Sequence, residues 1–181
     1  MVRASAGDHA AFSELAASAS GGLYRVAYLI LRDTEDANDA VQNALFAAWR
    51  DIRGLRDPDR FDAWLRRLTV RACYRVARHA RRRSTTELEL MPIHDLASVD
   101  DTSRQLAIRD ELDRAFAHLA APERAVIVLH YYLDLSLTDA AEALDIPIGT
   151  MKSRLSRATQ ALRAALEAQE RAAALPSGGM A

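Results

Sequence analysis

Ser136-Leu137-Thr138-Asp139-Ala140-Ala141-Glu142-Ala143-Leu144, then Asp145-Ile146-Pro147-Ile148-Gly149, then Thr150-Met151-Lys152-Ser153-Arg154-Leu155-Ser156-Arg157-Ala158, is the stretch that decides the fold. Ser136 and Asp139 form an acidic version of the Ser/Thr-x-x-Glu capping box, so a short helix starts there. Ala140, Ala141 and Leu144 give it one small apolar face. Asp145 to Gly149 reads as a tight turn. The residues after it return to a helical period. At roughly 100° per residue, Met151, Leu155, Ala158, Leu162, Ala165 and Leu166 cluster on one side, and Lys152, Ser153, Ser156, Arg157 and Gln160 on the other. A short helix, a tight turn and a longer helix with a polar face make helix-turn-helix spacing. The small residues Gly149, Ser153 and Ser156 lie between the long donors Lys152 and Arg157. That suits close approach to a major groove, where an arginine can bond two guanine acceptors at once. A solvated helix face explains the same pattern and stays open on these residues alone.

Upstream of that motif, Pro122 suits a first helical turn. The run from Val126 to Leu133 is apolar enough to be central, and Ile108, Leu112, Phe116 and Leu119 mark another helix near Arg104. The first half of the chain is also helical. Phe12, Leu15 and Ala16 begin one helix and Leu23, Val26, Ala27 and Ile30 another, with Gly21-Gly22 expected to break or kink the chain between them. Asp33-Thr34-Glu35-Asp36 offers N-cap chemistry. The helix after it buries Ala37, Ala40, Val41, Ala44, Leu45, Ala48, Trp49 and Ile52. A loop from Gly54 to Asp59 leads to a long helix, about Asp59 to Arg82, with Phe61, Trp64, Leu65, Leu68, Ala72 and Val76 inward.

Composition agrees with helices throughout. The chain has 181 residues, 50% apolar and 27% charged, with 6% aromatic, 7 glycines and 5 prolines. Alanine, the best helix former, fills about a fifth of it. The expected fold is all-α: two small helical domains joined by an acidic flexible linker, the second a helix-turn-helix domain. The domain limits read as 7–83, linker 84–103, 104–171, and a disordered tail 172–181. A single cysteine, Cys73, excludes an internal disulfide and suits a reducing compartment, hence a cytoplasmic protein. Its apolar neighbours Ala72 and Val76 favour a packed thiol. No apolar stretch approaches the ~18 residues of a membrane span. The five histidines fall at no zinc spacing, and no P-loop, GxGxxG or GxSxG occurs, so neither cofactor, metal nor catalysis is expected.

Net charge is −1, which taken whole speaks against a nucleic-acid binder. The average hides unlike parts. Residues 1–83 carry 15 arginines and 10 acids, the linker five acids and no Lys or Arg, and residues 104–181 carry 9 basic and 10 acidic groups. Arg67, Arg71, Arg75, Arg78 and Arg82 recur at steps of four, four, three and four along the long helix, thickened by Arg81 and Arg83. Like charges in such a stripe cost helix stability, whereas a polyanion that releases its counterions as each arginine binds would favour them; a surface face balanced by Asp57, Asp59 and Asp62 at the helix start explains the same stripe. On the helix after Asp33, the face opposite the core carries Asp36, Asp39, Asn43, Phe46 and Arg50, with Gln42 at its margin. Phe46 either folds back on the core or marks a protein-contact face.

Two segments of the first half carry a family resemblance. Asp36-Ala37-Asn38-Asp39-Ala40-Val41-Gln42-Asn43-Ala44-Leu45-Phe46-Ala47-Ala48-Trp49 resembles region 2 of extracytoplasmic-function sigma factors. Phe61-Asp62-Ala63-Trp64-Leu65-Arg66-Arg67-Leu68 continues it to Arg81-Arg82-Arg83. Leu119-Ala120-Ala121-Pro122-Glu123-Arg124-Ala125-Val126 resembles the opening of region 4, and Ile146 to Ala158 is similar to the family's I-P-x-G-T-V-K-S-R-L-x-R-A signature. The likeness spans about residues 7–168. It implies a non-enzymatic initiation factor of the sigma-70 family that binds core RNA polymerase and directs it to promoter DNA through −35 and −10 elements. An anti-sigma factor is a further partner it allows.

The resemblance also implies residue roles. Asp36, Asp39, Gln42, Asn43 and Phe46 fall in the polymerase-binding segment. Arg56 and Arg60, in the loop from Arg53, fall with Arg67, Arg71, Arg75 and Arg78 toward the −10 element and its backbone. Lys152, Ser153, Ser156 and Arg157 fall at −35 reading positions, with Arg154 a phosphate contact or a support for the turn. The acidic linker matches a segment that threads polymerase channels, although a plain disordered linker has the same composition. Asn43 stands where the family usually has an acid, and Arg71 where many members have Asn. Asn38 and the Gly21-Gly22 surroundings are less typical, and Ser156 is smaller than in relatives. A stand-alone helix-turn-helix regulator and a helical protein-binding adaptor are the competing readings. Neither accounts for both signatures.

Overall fold

Asp33 and Ser136 set two of the helix starts by their side chains. Asp33 accepts from the Asp36 N–H at 2.7 Å and Ser136 Oγ from the Asp139 N–H at 3.1 Å, each satisfying one of the orphan donors of a first turn. The computed structural model describes residues 1–55, 57–83 and 103–174, with side chains left out of the description at residue 2, at 80–83, 103–107, 109 and 173–174. Its main helices are α1 (His9–Leu31), α2 (Thr34–Asp51), α3 (Phe61–Arg83), α4 (Ser103–Ala117), α5 (Ala121–Ile127), α6 (Leu137–Leu144) and α7 (Ile148–Ala174). A single helical turn, Val2–Ser5, precedes α1, 3₁₀ turns lie at Ile52–Gly54 and Pro58–Arg60, and a π-helical segment, Val128–Tyr132, continues α5.

The first half is a bundle in which α1, α2 and α3 pack on one another. Its core takes Leu23, Val26 and Ile30 from α1, Ala37, Ala40, Ala44 and Ala48 from α2, and Phe61, Leu65, Val70 and Cys73 from α3. The alanine run of α2 lets the neighbouring helices approach closely. Trp49 closes the bundle end, with ring centroids 4.2 Å from His9 and 5.0 Å from Phe12. In the second half α5, α6 and α7 meet around Val126, Leu129, Ala140, Leu144, Met151 and Leu155. The halves also pack on each other: α1 against α5, and α3 against α5 and α6.

Several expectations need correction. α1 runs unbroken through Gly21 and Gly22. Each glycine costs about 1 kcal/mol relative to alanine, and burial of Leu23, Val26, Ala27 and Ile30 just beyond them outweighs it. The helix-turn-helix turn is shorter than expected, because Asp145 takes a left-handed conformation (φ 54°) and α7 already starts at Ile148. Asp145 N–H bonds back to Glu142 O, the usual way to end a helix in one residue. The last helix continues to Ala174, three residues into the segment expected as a tail. Ile108 and Leu112 are exposed at 49% and 40%. Residues 84–102 of the expected linker 84–103, Arg56 and residues 175–181 lie outside the described residues.

Candidate nucleic-acid and protein interface

The α7 helix divides as its sequence requires. Met151 and Ala158 are fully buried and Leu155 nearly so, against the α6 face of Ala140, Ala141 and Leu144. Lys152, Ser153, Ser156 and Arg157 are exposed on the opposite side. Ser153 Oγ donates to Thr150 O at 3.1 Å and Arg157 Nε to Ser153 O at 3.3 Å, so both polar groups lie along their own helix, with no other half holding them. A Cβ built on Gly149 meets nothing within 4 Å, so the first turn of α7 presents open backbone. Beside this face a shallow groove is lined by Tyr131, Leu137, Lys152, Ser156, Gln160 and Arg163. A basic, small-residue helix face with its amide-rich N-terminus outward can approach a polyanion and hydrogen-bond base edges.

Arg154 behaves differently. It is half-buried and its guanidinium donates to the Tyr74 hydroxyl on α3, lying 5.9 Å from that ring's centroid. Burial raises the Tyr74 phenol above its ordinary value, against the opposing pull of the Arg154 charge. Among the arginines expected toward a −10 element, Arg60 is exposed and pairs with Asp57 at 3.4 Å. Arg67 is half-buried, and Arg75 and Arg78 are exposed. Arg71 reaches across to α6, donating from Nε to Ala143 O and from Nη2 to Glu142 O, both at 3.1 Å.

On α2, Phe46 is 74% exposed, which settles the two readings of that side chain in favour of an outward one. Asp39, Gln42 and Asn43 are exposed around it, Asp36 is half-buried, and Asn43 Nδ2 donates to Asp39 O at 2.8 Å. An exposed aromatic ring set among carboxylates and amides is material for a protein contact: an apolar anchor with a polar rim. Among the described residues no group of three His, Cys, Asp or Glu side chains gathers as a metal site, and no helix is long and apolar enough to cross a membrane.

Sequence reasoning missed Arg124. It is only 8% exposed and donates to Ile30 O (2.6 Å), Leu31 O (3.3 Å) and Leu119 O (2.6 Å). Burial, reinforced by the Arg32 charge, lowers its pKa to about 10. The available signal was its register: residues 127 and 128, three and four positions on, are core, so Arg124 sits on the buried face of α5. Arg32 was missed as well. It ends α1 in a left-handed conformation (φ 62°) and pairs with Asp113 of α4 at 2.7 Å.

Two family models match the chain, Sigma-70 region 2 over residues 15–83 and Sigma-70, region 4 over residues 109–162. The chain is 34% identical over 153 residues to the ECF RNA polymerase sigma factor SigM of Mycobacterium tuberculosis, covering 84% of this chain and 76% of that protein. It is 34% identical over 161 residues to an RNA polymerase sigma-E factor of Streptomyces avermitilis, covering 88% and 87%. Among solved structures it resembles the sigma factor RpoE bound to the anti-sigma factor NepR from Bartonella quintana, with a TM-score of 0.66, 26% identity, and coverage of 86% and 96%.

Proposed function

The chain belongs to the sigma-70 family of RNA polymerase sigma factors, in the extracytoplasmic-function group, and from that premise we propose how its residues divide the work of initiation. It is a non-enzymatic initiation factor that binds core RNA polymerase and directs it to promoters. Residues 7–83 form the part that grips polymerase and takes the −10 element, and residues 104–171 the part that reads the −35 element. Phe46 inserts into an apolar recess of the polymerase while Asp36, Asp39, Gln42 and Asn43 supply the polar rim. Lys152, Ser153, Ser156 and Arg157 enter the major groove of the −35 element. Arg60, Arg67, Arg75 and Arg78 neutralise phosphates near the −10 element, and Arg56 and Arg71 join them there.

The observation that carries this reading is the split of α7, with Met151, Leu155 and Ala158 packed inward and the reading residues left outward. Polymerase fixes the spacing of the two DNA-binding parts, so the second contact becomes intramolecular and two weak grips act as one strong one. Opening needs no fuel, because captured bases favour the melted strand. An anti-sigma factor is a further partner class, as a solved relative is held by one. The cytoplasm, where core polymerase works, is the proposed location. Run-off transcription with core polymerase on a promoter found by 5′-end mapping after overexpression tests the reading. Promoter-dependent transcripts are expected. Their absence, with no binding to core, would overturn it.

A further inference from the structure

The segment from Met1 to His9 has no part in the interfaces above, and the region 2 match begins only at residue 15. It is nevertheless closely built. Ser5 N–H donates to Met1 O at 2.9 Å, Gly7 N–H to Ala4 O at 3.0 Å and Asp8 N–H to Arg3 O at 3.0 Å. The Arg3 guanidinium pairs with the Asp8 carboxylate at 2.7 Å, and the other oxygen of that carboxylate accepts the Ala11 N–H in the first turn of α1. The folded segment lies across the far end of α2. Its turn Val2–Ser5 packs on the turn Ile52–Gly54, and both Ala4 and Ile52 are buried. Just beyond, the His9 ring lies against Trp49. Gly7 has φ 98°, a conformation that costs glycine nothing and strains other residues. The Arg53 guanidinium lies against it: a Cβ built on Gly7 would come within 3.3 Å of Arg53 Nη2. Both the backbone angle and the close approach call for glycine at this position.

We propose that residues 1–9 brace the loop between Arg53 and Phe61, with Ala4, Gly7 and Arg53 as positioning residues that set where this loop points when it takes the −10 element. The brace stands on its contacts; its tie to the −10 element rests on the role given to the loop above. Gly54 and residues 57–60 of the loop are exposed. The loop's exit is fixed locally. Asp57 accepts the Asp59 N–H at 3.0 Å, Arg60 N–H donates to Asp57 O at 3.2 Å, and Phe61 is buried at the start of α3. Its entry depends on a distant segment instead. Leu55 N–H returns to Ile52 O at 3.1 Å, and the Ile52–Gly54 turn is covered by Val2–Ser5 while Arg53 rests on Gly7. A loop anchored at one end only must be ordered as it captures bases, so its apparent affinity falls by the fraction of molecules already in place.

The test uses the full chain with Gly7→Val, whose β-branched side chain meets both the positive φ and Arg53, and with Gly7→Asn, which tolerates positive φ far better. Hydrogen exchange read by mass spectrometry reports on the loop directly. Amides of residues 52–60 are expected to exchange about tenfold faster in Gly7→Val, with those in the middle of α2 and α3 unchanged. Run-off transcription with core polymerase is then compared on the promoter found by 5′-end mapping and on a copy with a scrambled −10 element and the same −35 element. The ratio of the two does not depend on how much protein is folded, so a plain folding defect leaves it alone. Gly7→Val is expected to lower the ratio about tenfold and Gly7→Asn much less. Asp57→Ala, which loosens the loop's own exit, is expected to lower it as well. Unchanged exchange in Gly7→Val would overturn the brace. Faster exchange, with the ratio lowered by Asp57→Ala alone, would overturn the positioning role. Faster exchange with the ratio unchanged in both Gly7→Val and Asp57→Ala would keep the brace and overturn the assignment of the loop to the −10 element.

Discussion

Phe46→Ala is the sharpest test of the polymerase contact. A phenylalanine side chain offers about 200 Å² of surface, and at 74% exposure roughly 150 Å² of it waits for a partner. At ~25 cal/mol per Å² full coverage is worth about 3.7 kcal/mol. The alanine still buries part of that area, which leaves a loss of about 2–3 kcal/mol, or roughly 30- to 150-fold in Kd. The same exposure means the ring does little for the fold, so stability should move by no more than ~0.5 kcal/mol. The assay is a titration of dye-labelled protein with core polymerase, with a urea melt of both proteins as the control. Salt separates the anchor from its rim: the Phe46→Ala loss should persist at high ionic strength, where an Asp39→Asn effect fades. A Kd within twofold of the original, in a variant of unchanged stability, would refute the anchoring role of Phe46.

Three further outcomes can be checked. Arg157→Ala should weaken binding to the −35 element by about 1–3 kcal/mol and relax specificity at one position, measured by competition with permuted duplexes. An equal loss on every duplex would make Arg157 a phosphate contact. Gly149→Ala meets no atom within 4 Å and should raise stability by about 0.5–1 kcal/mol in a urea melt; it should nonetheless impair promoter binding if the helix start approaches DNA closely, and undiminished binding would sink that idea. Cys73 is fully buried and burial pushes its thiol up to about 12, so a thiol reagent should label it only on unfolding. Below about pH 9 both folded and unfolded chains keep this proton; above it the unfolded chain ionises first. Stability should therefore fall as pH rises from about 9 toward 12, by at most ~1.4 kcal/mol per pH unit from this group. Cys73→Ala should remove that contribution, and identical pH slopes in the two proteins would contradict it.

Much of the fold was legible because its signals are local. Asp33 and Ser136 start helices by reaching N–H groups three residues away, and the inward faces of α2 and α7 follow from positions three and four apart. The break expected at Gly21-Gly22 does not form, because intrinsic propensity is a small term beside the burial of the residues that follow. Phe46 could be singled out as odd on its face, but whether it folded inward depended on how completely the alanines of α2 were already covered by α1 and α3.

By itself, the sequence determined the helical class, the helix-turn-helix and its outward residues, and the uneven charge, with a basic first half offset by an acidic linker. Tertiary structure alone decided where the arginines go. A guanidinium carries five donors on a long stem and can serve a phosphate, a carboxylate or a bare helix end with similar chemistry. Arg71 and Arg154 look like the other arginines of their helices, yet Arg71, still exposed, caps α6 and half-buried Arg154 meets Tyr74, while Arg124 lies buried between two helix ends. Those acceptors come from segments 71 to 94 residues away and exist as sites only once the two halves have packed.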